Sequence, residues 1–229
     1  TATLNNMTDA DWVVSGVGTS APESVDVALH NLDDDFPTTP QIVVSGVLSN
    51  SGTLSVQNSE LKLSGGASLT AGSFDVTGST VVLSDNLIKT GGTVTATTAT
   101  LKLENNISIT SNDELIFQEL ELNRFNLSLG SVTSDLTVSN AVTLNDPSMQ
   151  IHAGNATLTL SGGMTMGQGT VSANGGKISL GNTSTVIAEG ILDASNATLE
   201  LNAVLSVTGT LKTDNTTTLT LNNNALNLS

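Results

Sequence analysis

From Gln41 onward, apolar and polar residues alternate in short bursts, and the bursts themselves recur. Gly52 to Leu63 reads Gly-Thr-Leu-Ser-Val-Gln-Asn-Ser-Glu-Leu-Lys-Leu. The pattern returns at Gly72 to Leu83 and Gly92 to Leu103, fades, and returns at Gly169 to Leu180, Gly190 to Leu201 and Gly209 to Leu221. Alternation with period two marks a strand with one buried face. A fixed step of about 20 residues marks an architecture of stacked coils.

Three short strands are read in each coil, and each places a pair of apolar residues on the inside. The first column holds Leu54/Val56, Phe74/Val76, Val94/Ala96, Leu115/Phe117, Val171/Ala173 and Leu192/Ala194. The second holds Leu61/Leu63, Val81/Leu83, Leu101/Leu103, Leu120/Leu122, Leu158/Leu160, Ile178/Leu180, Leu199/Leu201 and Leu219/Leu221. The third holds Ala67/Leu69, Ile107/Ile109, Leu127/Leu129, Met164/Met166 and Leu205/Val207. Each strand pairs with its counterpart one coil later, so the sheets are parallel. Roughly nine coils from Gln41 to Ser229, stacked about 4.8 Å apart, predict a rod about 40–45 Å long.

The corners agree. Gly65-Gly66, Asp85-Asn86, Asn105-Asn106, Gly181-Asn182 and Asn222-Asn223 supply residues that tolerate left-handed backbone angles. Small residues precede the second column throughout: Ser59, Ser79, Ala99, Ala156, Gly176, Ala197 and Thr217. The register is ambiguous in the middle. The turn between Leu115 and Leu122 is short, and two phasings fit from Val132 to Ile151. Leu136/Val138 and Val142/Leu144 are the preferred pairs, with Asp146-Pro147 in a loop, because proline cannot donate to a ladder.

Residues 1–40 lack the repeat and are read as a separate N-terminal cap or assembly segment, with the solenoid at 41–229. Ser20-Ala21-Pro22-Glu23 is a helix-start pattern, and Val25, Ala28, Leu29 and Leu32 follow at helical spacing, so a short helix is predicted over about Ala21 to Leu32.

Composition narrows the partners. The net charge is −15, with six Lys and Arg, so the basic footprint that nucleic acid requires is missing. There is no cysteine, and aromatics make up 2%, which suits a thin core of Leu, Val, Ile, Ala and Thr. No apolar run approaches the ~18 residues of a membrane span. No signal peptide is read at Thr1, and the chain is taken as a processed or trimmed piece.

The Gly-x-Leu-x-Val-(x)-Leu-x-Leu coils of residues 41 to 229 resemble the right-handed parallel β-helix of large secreted bacterial surface proteins, of the filamentous-haemagglutinin and autotransporter-passenger types. The resemblance implies a secreted, extracellular rod or stalk, often adhesive and without catalytic residues to transfer. The expected fold is therefore all-β, a right-handed parallel β-helix (β-solenoid) with a short helical N-terminal cap.

Candidate chemistry is sparse. Outward positions of the first column read Ser55, Asp75, Thr95, Ile116, Ser172, Asp193 and Lys212, and those of the second read Lys62, Val82, Lys102, Glu121, Thr159, Ser179, Glu200 and Thr220. Paired carboxylates at glycosidase separation are not predicted, and no enzyme is expected. His30 and His152 have no Ser or Cys partner at a recognisable spacing. Asn31 with Asp33-Asp34-Asp35 could offer oxygen ligands to calcium, but the spacing is not that of a known calcium loop, so no cofactor is assigned. The outward positions of the third column, Ser68, Ser108, Ser128, Thr165, Thr185 and Ser206, interrupted by Ile88, read as a flat uncharged face for packing against another rod or, less readily, for binding ice.

The repeat runs to the last residues, leaving an end whose strand edges invite a partner. The function expected is a structural subunit that assembles head to tail. Its interface is formed by Thr1, Ala2, Thr3, Leu4, Trp12, Val13 and Val14 at one end and Leu219, Leu221, Leu226 and Leu228 at the other. The alternative is an adhesin stalk fragment that binds a glycan or host surface.

Overall fold

The computed structural model describes the strand Trp12–Val14, residues 41–181 and residues 183–229. The helix expected over Ala21 to Leu32 lies outside the described residues, and among those described there is no helix. They form 29 short strands wound into a parallel β-solenoid of about nine turns. Each turn visits three faces in the same order.

Face I begins with Trp12–Val14 and runs through Gln41–Val44, Glu60–Leu63, Thr80–Leu83 and Thr100–Leu103 to Glu119–Glu121. Beyond a break it resumes at Val142–Leu144 and ends with Leu226–Leu228. Face II is one unbroken nine-stranded sheet from Leu48–Asn50 to Thr210–Lys212. Face III starts as Thr53–Ser55, Ser73–Asp75 and Thr93–Thr95, breaks, and continues from Leu115–Phe117 to Thr218–Thr220.

The apolar pairs turn inward as their alternation requires. Leu101, Leu103, Leu127, Ile151, Leu158, Leu160 and Leu199 are fully buried in one continuous core, each contributing about 1.5–3 kcal/mol relative to exposure. Leu136/Val138 and Val142/Leu144 are strand pairs with both residues buried.

The three columns do not run the length of the rod. The second column occupies face I as far as Leu120, which pairs with Leu101. Its later members, Leu158, Ile178 and Leu199, stack instead on Leu136 on face III. Val171 and Leu192 of the first column lie on face II over Ile151 and Leu127. Met164/Met166 and Leu205/Val207 of the third lie on face I. Every column thus steps one face around the rod at the break.

The cause is a four-residue corner that changes place. In the early coils it joins face III to face I, and is closed by the Ser79 amide on the Val76 carbonyl at 3.0 Å and by Ala99 on Ala96 at 2.8 Å. In the late coils it joins face II to face III, with Ala156 on Ala153 at 2.9 Å and Ala197 on Ala194 at 3.1 Å. Between them lies one transitional coil. There a single residue, Gln118, separates Leu115–Phe117 from Glu119–Glu121. The wide corner falls between faces I and II in that coil, with Asn123 and Arg124 at φ 49° and 72°. The next coil carries two wide corners, residues 130–135 between faces II and III and residues 145–149 between faces I and II, so the chain can put such a corner at any of three vertices.

Outward side chains also shape the surface. Val82 faces out yet is only 1% exposed. Its strand neighbours are Lys62 and Lys102, and a Lys62–Glu104 ion pair at 2.7 Å spans the intervening coil.

Candidate functional site

Two regions carry the candidate chemistry: the end formed by the last coil and a groove along face II. At the end, Leu219 pairs with the fully buried Leu199 one coil below, yet is itself 42% exposed. Leu221 is exposed in the same way, and Leu228 is 66% exposed although its partner Val207 is buried. Leu226 is half-buried over the buried Leu205. These leucines continue the apolar core upward and meet no further coil among the described residues. The outer strand edges there belong to Thr210–Lys212, Thr218–Thr220 and Leu226–Leu228.

At the opposite end Trp12–Val14 pairs in parallel with Gln41–Val44, Trp12 opposite Ile42 and Val14 opposite Val44. This segment, expected to serve as a donor to another subunit, is the outermost strand of face I in its own chain. Among the described residues, its outer edge and that of Leu226–Leu228 are the two ends of one face. Thr1, Ala2, Thr3 and Leu4 lie outside the described residues, as do His30, Asn31 and Asp33 to Asp35.

The groove involves His152, for which no partner was found in the sequence. His152 Nδ1 lies 2.7 Å from Ser172 Oγ, and Nε2 lies 2.8 Å from Gln150 Oε1. With Gln150 Oε1 accepting from Nε2–H, Nδ1 accepts the Ser172 hydroxyl. One lap of the solenoid separates the two residues. The signal was present as a spacing of 20 residues, but it needed the coil register to be read. The outward column continues from Ser172 to Asp193 and Lys212, where Lys212 Nζ and Asp193 Oδ2 are 3.7 Å apart.

The corner between faces II and III forms the other wall. Asn196 donates its side-chain amide to Asn174 Oδ1 at 3.0 Å and its backbone amide to Asp214 Oδ1 at 3.1 Å. Together these residues line an open groove of about 460 Å³. The hydroxyl of Thr216 and the Asn196 amide hold the Asp214 carboxyl down to about 2, from an ordinary 3.8. Burial pushes the Asp193 carboxyl up, but hydrogen bonds from Ser195 and the charge of Lys212 outweigh it and leave it below 3.8. The groove therefore keeps both carboxylates ionised in mildly acidic water.

The amides beside Ser172 are already engaged. Those of Ala173, Asn174, Gly175 and Gly176 donate to the carbonyls of Asp193, Gly154, Asn196 and Gly154. None is left to stabilise an oxyanion at Ser172, which acyl transfer would need. What the groove offers is a row of hydroxyl, amide and carboxylate groups suited to hydrogen-bonding a polar ligand. Among the described residues no group of three or more His, Cys, Asp or Glu could hold a metal ion. No helix among them is long and apolar enough to cross a membrane.

The uncharged face expected along the third column is not continuous. Ser68, Ser108 and Ser128 lie on face II, whereas Thr165 and Ser206 lie on face I with Val186 between them. Thr185, expected to point outward, is buried and accepts the Met164 amide at 3.2 Å. Its strand places Val186 outside instead. A regular threonine array for ice is therefore absent from the described faces.

Comparison of the chain with protein-family models, with curated proteins and with solved structures finds no match.

Proposed function

We propose that the protein is a structural subunit of an extracellular filament or surface appendage, assembled head to tail through the ends of its solenoid. The observation that carries this reading is that the apolar Leu219, Leu221 and Leu228 are exposed and no further coil covers them among the described residues. A second copy is the occupant whose geometry matches. Face I opens with Trp12–Val14 and closes with Leu226–Leu228, so the free edge of one copy can continue the ladder of the next in the same parallel sense. Contacts of this head-to-tail kind do not close on themselves and build fibres. The resemblance of the coils to filamentous-haemagglutinin and autotransporter-passenger proteins points to the cell surface.

Electron microscopy and light scattering test the reading. Fibres or long oligomers are expected for the full chain and isolated particles for the Leu219→Asp/Leu228→Asp double variant. Deletion of residues 1–14 should also give isolated particles, and a truncated chain that still polymerises would overturn the role of that segment. A monodisperse monomer of the 229-residue chain would favour the second reading, an adhesin stalk. The groove beside His152, Asp193 and Asp214 supports that second reading as a polar surface for a glycan.

A further inference from the structure

Lys89 is the one charged side chain buried among the described residues. It ends the face II strand Leu87–Lys89, where Ile88 points out and Lys89 points in, and its side chain is 1% exposed. Its Nζ meets two groups on the corner leading from face II to face III. Asn112 Oδ1 is 3.2 Å away and Asp113 Oδ1 is 2.6 Å away.

The surroundings hold both partners in place. Asn112 donates its side-chain amide to the Thr90 carbonyl at 3.0 Å, which turns its own carbonyl toward the lysine. Ser111 donates its hydroxyl to Asp113 Oδ1 at 3.2 Å, and the Ser111 amide donates to the fully buried Ser134 Oγ at 2.8 Å. An amine, a carboxamide and a carboxylate are thereby fixed together, with the amine shut away from water. The amine lies within hydrogen-bond reach of the Asn112 amide oxygen, which is bonded to the electrophilic Cγ.

We propose that Lys89 and Asn112 join in an intramolecular isopeptide bond, with Asp113 as the proton carrier. The Asp113 carboxylate takes a proton from the Lys89 ammonium and leaves a neutral amine. The Nζ lone pair forms a bond to Asn112 Cγ and gives a tetrahedral adduct. Asp113 delivers its proton to Nδ2 and recovers one from Nζ. The Cγ–Nδ2 bond breaks as the carbonyl reforms, and ammonia leaves with the last proton passed to it from Asp113. No oxidant or other co-reactant is needed. Fixed proximity replaces a bimolecular encounter, and burial shields the amine, while Asn112 and Asp113 lie at the surface, with the Asp113 side chain 54% exposed. The bond would tie face II to the next coil at the level where face III is interrupted. It is independent of whether the rods assemble.

Intact mass and a tryptic digest of the folded wild-type protein decide the matter without any variant. The proposal expects a mass lower than that of the sequence by one ammonia. It also expects cleavage at Lys89 to be blocked, so that fragment 63–102 is recovered joined to fragment 103–124. Asn112→Ala, Lys89→Met and Asp113→Ala should each restore the full mass and release the fragments. An unmodified wild-type mass with free fragments overturns the proposal and leaves an ion pair between a buried lysine and an exposed carboxylate. Loss of one water instead of ammonia also overturns it, by moving the bond to Asp113. Loss of ammonia without the joined fragments overturns it too, by assigning the loss to cyclisation of an asparagine.

Discussion

Leu136 sits directly over Leu115, its ladder partner on face III, and not over Leu120. Leu120 belongs to face I, where it covers Leu101. The apolar repeat of the sequence and the stacking of the solenoid therefore agree within each half of the rod and part company between them. A coil is defined by its visits to three faces, and the position of its wide corner is free to move.

Removal of one whole lap should be tolerated. Deleting Val171 to Ile191 joins Thr170 to Leu192 and brings Thr157–Leu160 under Thr198–Leu201 with its inward leucines matched. The shortened chain is expected to keep its β circular dichroism and a cooperative unfolding transition. Deleting only Val171 to Leu180 sends every later strand to a different face, and loss of the folded signal is the expected outcome.

Core truncation should be severe in mid-rod and mild at the exposed end. Leu101 is fully buried between Val81 and Leu120, so Leu101→Ala is expected to cost about 2–5 kcal/mol in urea unfolding. Leu219 retains much of its exposure, and Leu219→Ala in the monomer should cost less than about 1 kcal/mol. Equal costs at the two positions would contradict an uncovered last coil.

Gly72 should not tolerate a side chain. Its φ is +72°, and a Cβ there would come within 1.9 Å of the Gly52 carbonyl oxygen one coil below. Both the backbone region and the close approach exclude alanine. Gly72→Ala is expected to lower the melting temperature clearly, whereas alanine at Gly46, whose added Cβ would meet nothing within 4 Å, should leave it nearly unchanged.

Acid should erase the contribution of Asp214. Its carboxyl is held at about 2 in the folded chain against an ordinary 3.8, so the ionised form is favoured by folding. That stability is fully present above 3.8 and is lost as the pH falls through about 2. Asp214→Ala should therefore melt below the wild type at pH 6, and the gap should close as the pH approaches 2. Glu104 and Glu200, lowered by hydrogen bonds from Lys62 and Lys177, act in the same sense. A gap that stays constant across this range would rule out the hydrogen-bonded carboxylate as its source.

The strands were legible because their chemistry is local. Leu61-Lys62-Leu63 and Leu199-Glu200-Leu201 announce a half-buried strand wherever they occur. The pairing of His152 with Ser172 was not legible, because the intervening coils were assigned to faces by their resemblance to one another. The outward aim of Val186 was missed for a related reason. Thr185 resembles an exposed residue, but the buried Met164 amide offers it a partner inside.

Alternation, glycine and asparagine corners and a step near 20 residues were enough, by themselves, to determine a parallel solenoid with a thin aliphatic core. Each of these acts through the chain's own backbone angles and through burial of its nearest apolar neighbours. Which coil vertex carries the wide corner, and so which side chains stand in one column, was decided only in three dimensions. Any of the three vertices satisfies the local pattern. The choice rests on how each lap packs on the one beneath it, and that choice sets His152 beside Ser172 and brings Lys89 to Asn112 and Asp113.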